Sequence, residues 1–219
     1  MAKIRSVEAL DDAISAEIAW RKQELSTARK LIHRSSGPAL QANLRSGVVI
    51  LYAHWEGWVK AVAQLYIRYV NTKAFPYDQL STAFLGTALE TKMSGIDEAS
   101  NPLIHNSFAA FIQDHLSERA SISESLVRTE SNLSSSVFLA IIDRLGLERR
   151  EKYKLRANMI DHDLVNRRNT IAHGEYLDLG VDDFTTLRAN TLDLLELFTD
   201  DVRNAASTGR HLKLPTAQQ

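Results

Sequence analysis

The chain has 219 residues, with 26 lysines and arginines against 27 aspartates and glutamates, so its formal net charge is −1. It contains no cysteine, which excludes disulfide scaffolds, thiolate zinc sites and cysteine nucleophiles. The near-zero net charge argues against a protein that coats nucleic acid, because such binding needs a broad basic surface. The length and the composition, 44% hydrophobic and 24% charged, predict one ordinary globular domain over residues 1–219.

Long segments with apolar residues at helical spacing follow one another along the chain. The predicted helices cover residues 6–33, 39–70, 78–91, 103–116, 137–145, 148–172 and 182–206. Turns are predicted at 35–38, Gly146 and Gly174. Residues 117–136 are rich in serine, and an extended piece is predicted at 122–127. The fold class predicted is therefore all-α, an antiparallel helical bundle with a small irregular excursion around residues 94–133.

The N-terminal residues lead into acidic, amphipathic sequence rather than an apolar run, which predicts a cytoplasmic protein without a secretory signal. Residues 48–70 form the longest nearly apolar stretch. Polar and charged side chains interrupt it at His54, Glu56, Lys60, Gln64 and Arg68. That pattern argues against a transmembrane helix, so no membrane partner is expected.

The candidate reactive side chains cluster in residues 161–175, at a predicted helix C-terminus. The sequence there is Asp-His-Asp-Leu-Val-Asn-Arg-Arg-Asn-Thr-Ile-Ala-His-Gly-Glu. His173 can remove and return a proton near neutral pH, and the fork of Arg168 matches phosphate oxygens. Together these groups suit transfer at a phosphodiester, which needs no metal and no cofactor. Asn169 lies one turn before His173 and could orient the imidazole or contact a substrate.

Helical geometry sets a condition on this segment. At about 100° per residue, His162, Asn169 and His173 share one face, whereas Arg168 lies about 140° from His173. Tyr153, Ile160, Leu164 and Ile171 occupy the opposite, core-facing side. Either the last turn before Gly174 is distorted, or a second copy completes the site as in a two-fold dimer. In a third interpretation, the arginine and the histidine only satisfy carbonyls at the helix end.

Three other patterns have alternative interpretations. The aromatic and aliphatic stripe at 55–66 is either core or a surface that stacks bases. On the same helix, Glu56 and Lys60 form a predicted surface pair, and with His54 they could support a cleft. Asp161 and Asp163 flank His162 like metal ligands, but His162 and His173 lie about 16 Å apart on one helix, so no metal site is predicted.

Charge is unevenly distributed near the C-terminus. Residues 148–173 have an excess of three basic side chains, and residues 174–203 have an excess of six acidic ones. The basic helix either faces RNA or pairs with the acidic helix.

The stretch Arg168-Asn169-Thr170-Ile171-Ala172-His173 resembles the motif of the HEPN superfamily, an arginine, a polar residue and a histidine a few positions later. Residues 52–60, Tyr-Ala-His-Trp-Glu-Gly-Trp-Val-Lys, resemble an early helix of a bacterial branch of small stand-alone HEPN proteins. The likeness extends from about residue 39 to residue 206, after an N-terminal helix and turn at 1–38.

The resemblance implies a helical homodimer whose motif helices meet in a shared cleft. It also implies a metal-independent endoribonuclease of a toxin–antitoxin or phage-defence system. Arg168 and His173 would be the catalytic pair, Asn169 a polar helper and Arg167 a nearby phosphate contact. The implied partners are RNA, a second copy of the chain and a cognate antitoxin or regulatory protein, with no cofactor. The superfamily also includes non-catalytic nucleotide-binding and assembly modules, so a binding module that uses the same cleft is the alternative.

Overall fold

The computed structural model describes residues 3–93 and 102–213. Within these ranges the chain forms α1 (Val7–His33), α2 (Gly37–Lys73), α3 (Thr82–Met93), α4 (Pro102–Asp114), α5 (Ser135–Arg144), α6 (Glu151–Leu155), α7 (Arg167–Ala172) and α8 (Val181–Ser207). No strand occurs in the described residues, where the only β-type pairings are two isolated bridges. The predicted all-α fold is confirmed. None of the described helices is both long and apolar enough to cross a lipid bilayer.

The two longest N-terminal helices form an antiparallel hairpin. The Ser6 hydroxyl caps α1 by accepting a hydrogen bond from the Ala9 N–H at 3.1 Å. Gly37, with a φ of +57°, and Pro38 begin α2 after a short turn, as the sequence predicts. Helix α8 packs against both α1 and α2.

The aromatic stripe of α2 lies in the core between these helices. Trp55 and Trp58 are buried, which confirms the core interpretation and not the base-stacking one. Each indole N–H donates a hydrogen bond of 2.9 Å. The acceptor for Trp55 is the Leu133 carbonyl, and the acceptor for Trp58 is the Thr199 hydroxyl of α8. The stripe therefore joins α2 to α8 and to the segment before α5.

The segment between α4 and α5 is irregular but anchored. Asn71 of α2 donates to the Ile122 carbonyl at 2.8 Å and accepts from the Ile122 N–H at 3.0 Å. The extended piece predicted at 122–127 is wrong, because a 3₁₀ turn at Glu124–Leu126 follows this contact. Residues 94–101 of the predicted excursion lie outside the described residues, and the rest of it includes the regular helix α4.

The helix predicted at 148–172 is interrupted. Helix α6 ends at Leu155, a π-helical segment covers Met159–Asn166, and α7 follows it directly. A π-helix bonds residue i to i+5, so its side chains advance by less than the α-helical angle of about 100°. Leu164 and Val165 of this segment are both buried. The π-helical segment sets the direction from which the chain enters α7.

Candidate functional site

Helix α7 ends at a glycine turn, as its sequence predicts. Gly174 has a φ of +75°, a left-handed conformation that favours glycine. The Gly174 N–H bonds to the Ile171 carbonyl at 3.1 Å, and the Glu175 N–H bonds to the Thr170 carbonyl at 3.0 Å. These bonds satisfy carbonyls that the helix end leaves free. His173 immediately precedes this turn, and its side chain is exposed.

Arg168 is held between α2 and the segment before α5. Its guanidinium carbon lies 4.1 Å from the centroid of the Tyr52 ring, within cation–π range. Its Nη2 donates a long hydrogen bond of 3.5 Å to the Ser131 carbonyl. Its Nε is enclosed and has no acceptor among the described residues. Arg168 thus points away from the end of α7, which does not fit the interpretation in which it only satisfies terminal carbonyls.

Tyr52 connects the same two elements. Its hydroxyl accepts from the Leu133 N–H at 2.9 Å and donates to Asn132 Oδ1 at 3.5 Å. Burial raises the pKa of Tyr52, so the phenol is neutral and offers both a donor and an acceptor. One turn along α2, Glu56 accepts a hydrogen bond from the Thr129 hydroxyl at 2.7 Å. Residues 129–133 are therefore hydrogen-bonded to α2 at both ends, and Ser131 between them contacts Arg168.

A second side chain of α2 reaches the other end of the motif. Arg45 Nη1 donates to the Glu175 carbonyl at 2.8 Å, just after the glycine turn. Seven residues separate Arg45 from Tyr52, and seven separate Arg168 from Glu175. The two contacts therefore join two antiparallel stretches of α2 and the motif segment that have the same number of residues.

The remaining motif residues do not join Arg168. Arg167 forms an ion pair of 3.0 Å with Asp163, one turn earlier. Asn169 is half-buried, and its carbonyl accepts the His173 N–H at 2.9 Å, so α7 remains a regular α-helix up to its last residue. Arg168 and His173 consequently keep the angle of about 140° on one helix. Of the two explanations open at the sequence level, a distorted last turn is not what the structure contains.

The residues upstream of α7 have structural partners. Asp161 accepts two hydrogen bonds from Ser135 at the start of α5. His162 is exposed, and its Nδ1 lies 3.4 Å from Asn166 Nδ2. The π-helical turn moves His162 off the face shared by Asn169 and His173, so the alignment predicted for an ideal helix is wrong. Within the described ranges, no three histidine, aspartate or glutamate side chains converge as metal ligands.

The other candidates on α2 lie on different sides of the helix. His54 is buried against α1, where its Nε2 lies 2.7 Å from Glu24 Oε2 and its ring meets the Trp20 edge. Burial lowers the pKa of His54 despite the opposing effect of Glu24. The predicted ion pair of Glu56 with Lys60 is absent from the described contacts, because Glu56 turns to Thr129 instead.

Most basic side chains of residues 148–173 pair with acids. The buried carboxylate of Asp201 on α8 forms an ion pair with Arg150, with nitrogen–oxygen distances of 2.5 and 2.8 Å. It also accepts a hydrogen bond from the Tyr153 hydroxyl at 2.6 Å. The other pairs are Arg149 with Asp143, Lys154 with Glu151, Arg156 with Asp193, and Arg167 with Asp163. Pairing with the acidic helix therefore accounts for two of these pairs, those of Arg150 and Arg156, whereas the other acids lie outside α8. Arg168 is a cation of the segment without an ion-pair partner in the described chain.

Tyr52, Arg45 and Ser131 are the residues at this site to which the sequence assigned no role. Tyr52 belongs to the stretch that resembles a HEPN helix, but nothing local distinguishes it from the other aromatic residues of α2. Its pairing with Arg168 depends on the register between segments more than 100 residues apart in the chain.

Comparison with known protein families gives one result that covers nearly the whole chain. The model of a family described as MAE_28990-like HEPN matches residues 10–210. The match begins within α1, so it extends further toward the N-terminus than the resemblance drawn from residues 39–206. No curated protein and no solved structure matches the chain.

Proposed function

Because the chain belongs to the MAE_28990-like HEPN family, we propose that it is a metal-independent endoribonuclease of a toxin–antitoxin or phage-defence system. Arg168 and His173 are the proposed catalytic pair. The observation on which the proposal depends is their placement: the imidazole is exposed at the end of α7, and the guanidinium lacks an ion-pair partner among the described residues and rests on Tyr52.

The chemistry proceeds by attack within the RNA. His173 removes the proton of a 2′-hydroxyl, the 2′-oxygen attacks the adjacent phosphorus, and the bond to the 5′-oxygen breaks. The 5′-oxygen leaves with a proton from an imidazolium, which yields a 2′,3′-cyclic phosphate and a 5′-hydroxyl. Arg168 stabilises the charge that develops on the phosphoryl oxygens. Asn169 is the proposed polar helper, and Arg167 contacts a neighbouring phosphate after leaving Asp163.

A second copy of the chain completes the proposed site. Arg168 and His173 point about 140° apart on one regular helix, so a single α7 does not aim both at one phosphate. A two-fold dimer that apposes two α7 helices brings the arginine of one copy near the histidine of the other. The same arrangement supplies a second imidazole to protonate the leaving oxygen.

Cleavage of pooled RNA in the presence of a chelator tests this proposal. Wild-type protein should cleave, and His173→Ala and Arg168→Ala should not, although both remain folded. The matched controls are His115→Ala and Arg119→Ala, which should cleave like wild type. Arg119 donates to the Asn71 carbonyl, about 28 Å along α2 from Tyr52. Full cleavage by folded His173→Ala would refute the catalytic assignment.

Mixing the two inactive variants tests the shared cleft. A dimer of one Arg168→Ala chain and one His173→Ala chain retains one intact pair only if the arginine and histidine act across the interface. Cleavage should therefore return in part on mixing, because the mixed dimer keeps one arginine–histidine pair but lacks the second imidazole that protonates the leaving oxygen. A wild-type protein that binds RNA or nucleotide in this cleft without cleaving would instead identify the non-catalytic binding module.

A further inference from the structure

We propose that Tyr52 and Arg45 of α2 are positioning residues that hold the two ends of the Arg168–His173 segment at a fixed spacing. This inference rests on the proposed function for its consequence in catalysis, but the positioning itself is a property of the folded chain. Arg45 and Tyr52 lie seven residues, or nearly two turns, apart, so both point from the same face of α2. They meet chain positions 175 and 168, which have the same separation.

At one end, Tyr52 acts on Arg168 in two ways. Its ring lies under the guanidinium at 4.1 Å, which restricts the rotation of a long side chain that has no ion-pair partner in the described residues. Its hydroxyl also accepts the Leu133 N–H, which fixes the segment whose Ser131 carbonyl contacts Arg168 from another side. Removal of this tyrosine would therefore loosen both contacts of Arg168 at once.

At the other end, Arg45 fixes the chain just after His173. The Glu175 carbonyl is held by Arg45 at 2.8 Å, and the Glu175 N–H is held by the Thr170 carbonyl at 3.0 Å. Glu175 is thus tied to α2 and to α7 together. The glycine turn cannot swing away from α2 without breaking the Arg45 bond, so His173 keeps its place relative to Arg168.

The contacts of Tyr52 and Arg45 orient Arg168 and His173, and neither residue touches the substrate directly. A catalytic group displaced by about 1 Å loses roughly a hundredfold in rate. Loss of either contact should therefore lower kcat by about ten- to a hundredfold while KM changes by less than about threefold. A rise in KM with unchanged kcat would overturn the proposal, because it would mean that these residues contribute to uniform substrate binding.

NMR of the Arg168 side chain tests the Tyr52 contact without any assay of cleavage. The signal, assigned by its loss in Arg168→Lys, should be displaced by the ring current of Tyr52. Tyr52→Met should abolish this displacement. Tyr52→Phe should keep it, with an activity between those of wild type and Tyr52→Met, because the ring remains and the hydroxyl that holds Leu133 is lost. The matched control is Tyr69→Met, since Tyr69 is on the same helix and also 4% exposed. An unchanged Arg168 signal in folded Tyr52→Met overturns this half of the proposal.

Hydrogen exchange tests the Arg45 contact. Arg45 is half-buried, and Arg45→Gln keeps a polar side chain at this position. In Arg45→Gln, the Glu175 amide should exchange about tenfold faster, as expected for the loss of a charge-assisted hydrogen bond. Arg34→Gln replaces an exposed arginine and should leave that rate unchanged. A rate within about twofold of wild type in Arg45→Gln would overturn the Arg45 half. If wild type does not cleave RNA, the proposed function fails, while the NMR and exchange results still decide the positioning.

Discussion

Asp161 binds Ser135 with both carboxylate oxygens. Oδ1 accepts the Ser135 N–H at 2.8 Å, and Oδ2 accepts its hydroxyl at 2.6 Å. The N–H belongs to the first turn of α5, where backbone donors lack helical partners and the helix dipole favours negative charge. Asp161 therefore joins the π-helical segment to α5, and its role in the described structure is to cap that helix.

We expect Asp161→Asn to lower the free energy of unfolding by about 1–3 kcal/mol, the usual range for a charged hydrogen-bond partner. Asp163→Asn is the matched control, because Asp163 pairs with Arg167 one turn away on a partly exposed surface. Such pairs contribute no more than about 0.5 kcal/mol. Urea denaturation measures both variants, and equal losses would contradict the capping role of Asp161.

Two glycines with open surroundings should respond in opposite ways to alanine. A Cβ at Gly174 or Gly86 would meet no atom within 4 Å, so neither replacement causes a clash. Gly174→Ala should lower the free energy of unfolding by about 1–2 kcal/mol, because a φ of +75° strains any residue with a Cβ. Gly86→Ala, inside α3, should raise the free energy of unfolding by about 0.5–1 kcal/mol. Thermal denaturation compares them, and a stabilised Gly174→Ala would refute the strain argument.

Periodicity alone predicted the long helices, because each buries one continuous stripe. Helix α1 begins within one residue of its predicted start and ends at His33 as predicted, and α8 also matches within one residue at each end. The glycine turn at the end of α7 was equally visible, since the left-handed conformation at Gly174 has a direct sequence signal. These features depend on local chemistry.

The arrangement around Arg168 could not be predicted in the same way. The π-helical segment is accompanied by contacts of Asp161 with Ser135 and by burial of both Leu164 and Val165, which depend on where α5 and α8 lie. The prediction from an ideal helix therefore put His162 on the same face as His173, which is incorrect. The contact of Tyr52 with Arg168 depends on the register between α2 and α7, for which single-sequence patterns contain no information.

RNA binding should depend only weakly on salt. Most basic residues near α7 are already paired with acids, and the proposed phosphate contacts of each copy are Arg168, and Arg167 after it leaves Asp163. Two to four phosphate contacts in a dimer give a slope of log K against log salt between about −1.4 and −2.8. Binding of single-stranded RNA to inactive His173→Ala, titrated at several salt concentrations, measures the slope. A value steeper than about −5 would indicate a broad basic surface and contradict the pairing.

His211 should make the fold sensitive to mild acid. Its side chain is 3% exposed and is surrounded by the rings of Tyr66, Tyr69, Phe75 and Phe84, with centroids 5.8 to 6.3 Å away. Burial, with a smaller effect from the positive charge of Lys73, lowers the pKa of His211 to about 4. In the unfolded chain the pKa of histidine is about 6.5.

Between these two values the unfolded chain binds a proton at His211 that the folded chain does not. The free energy of unfolding should therefore fall as pH falls from about 6.5 to about 4, by up to about 3 kcal/mol from this residue. His211→Phe removes the titrating group and keeps a ring of similar size among the aromatic neighbours. Its stability, measured by urea denaturation across this range, should decline less steeply than that of wild type, whereas the two curves should run parallel above about pH 6.5. Parallel curves through the whole range would show that the folded protein accepts a proton at His211 as readily as the unfolded chain.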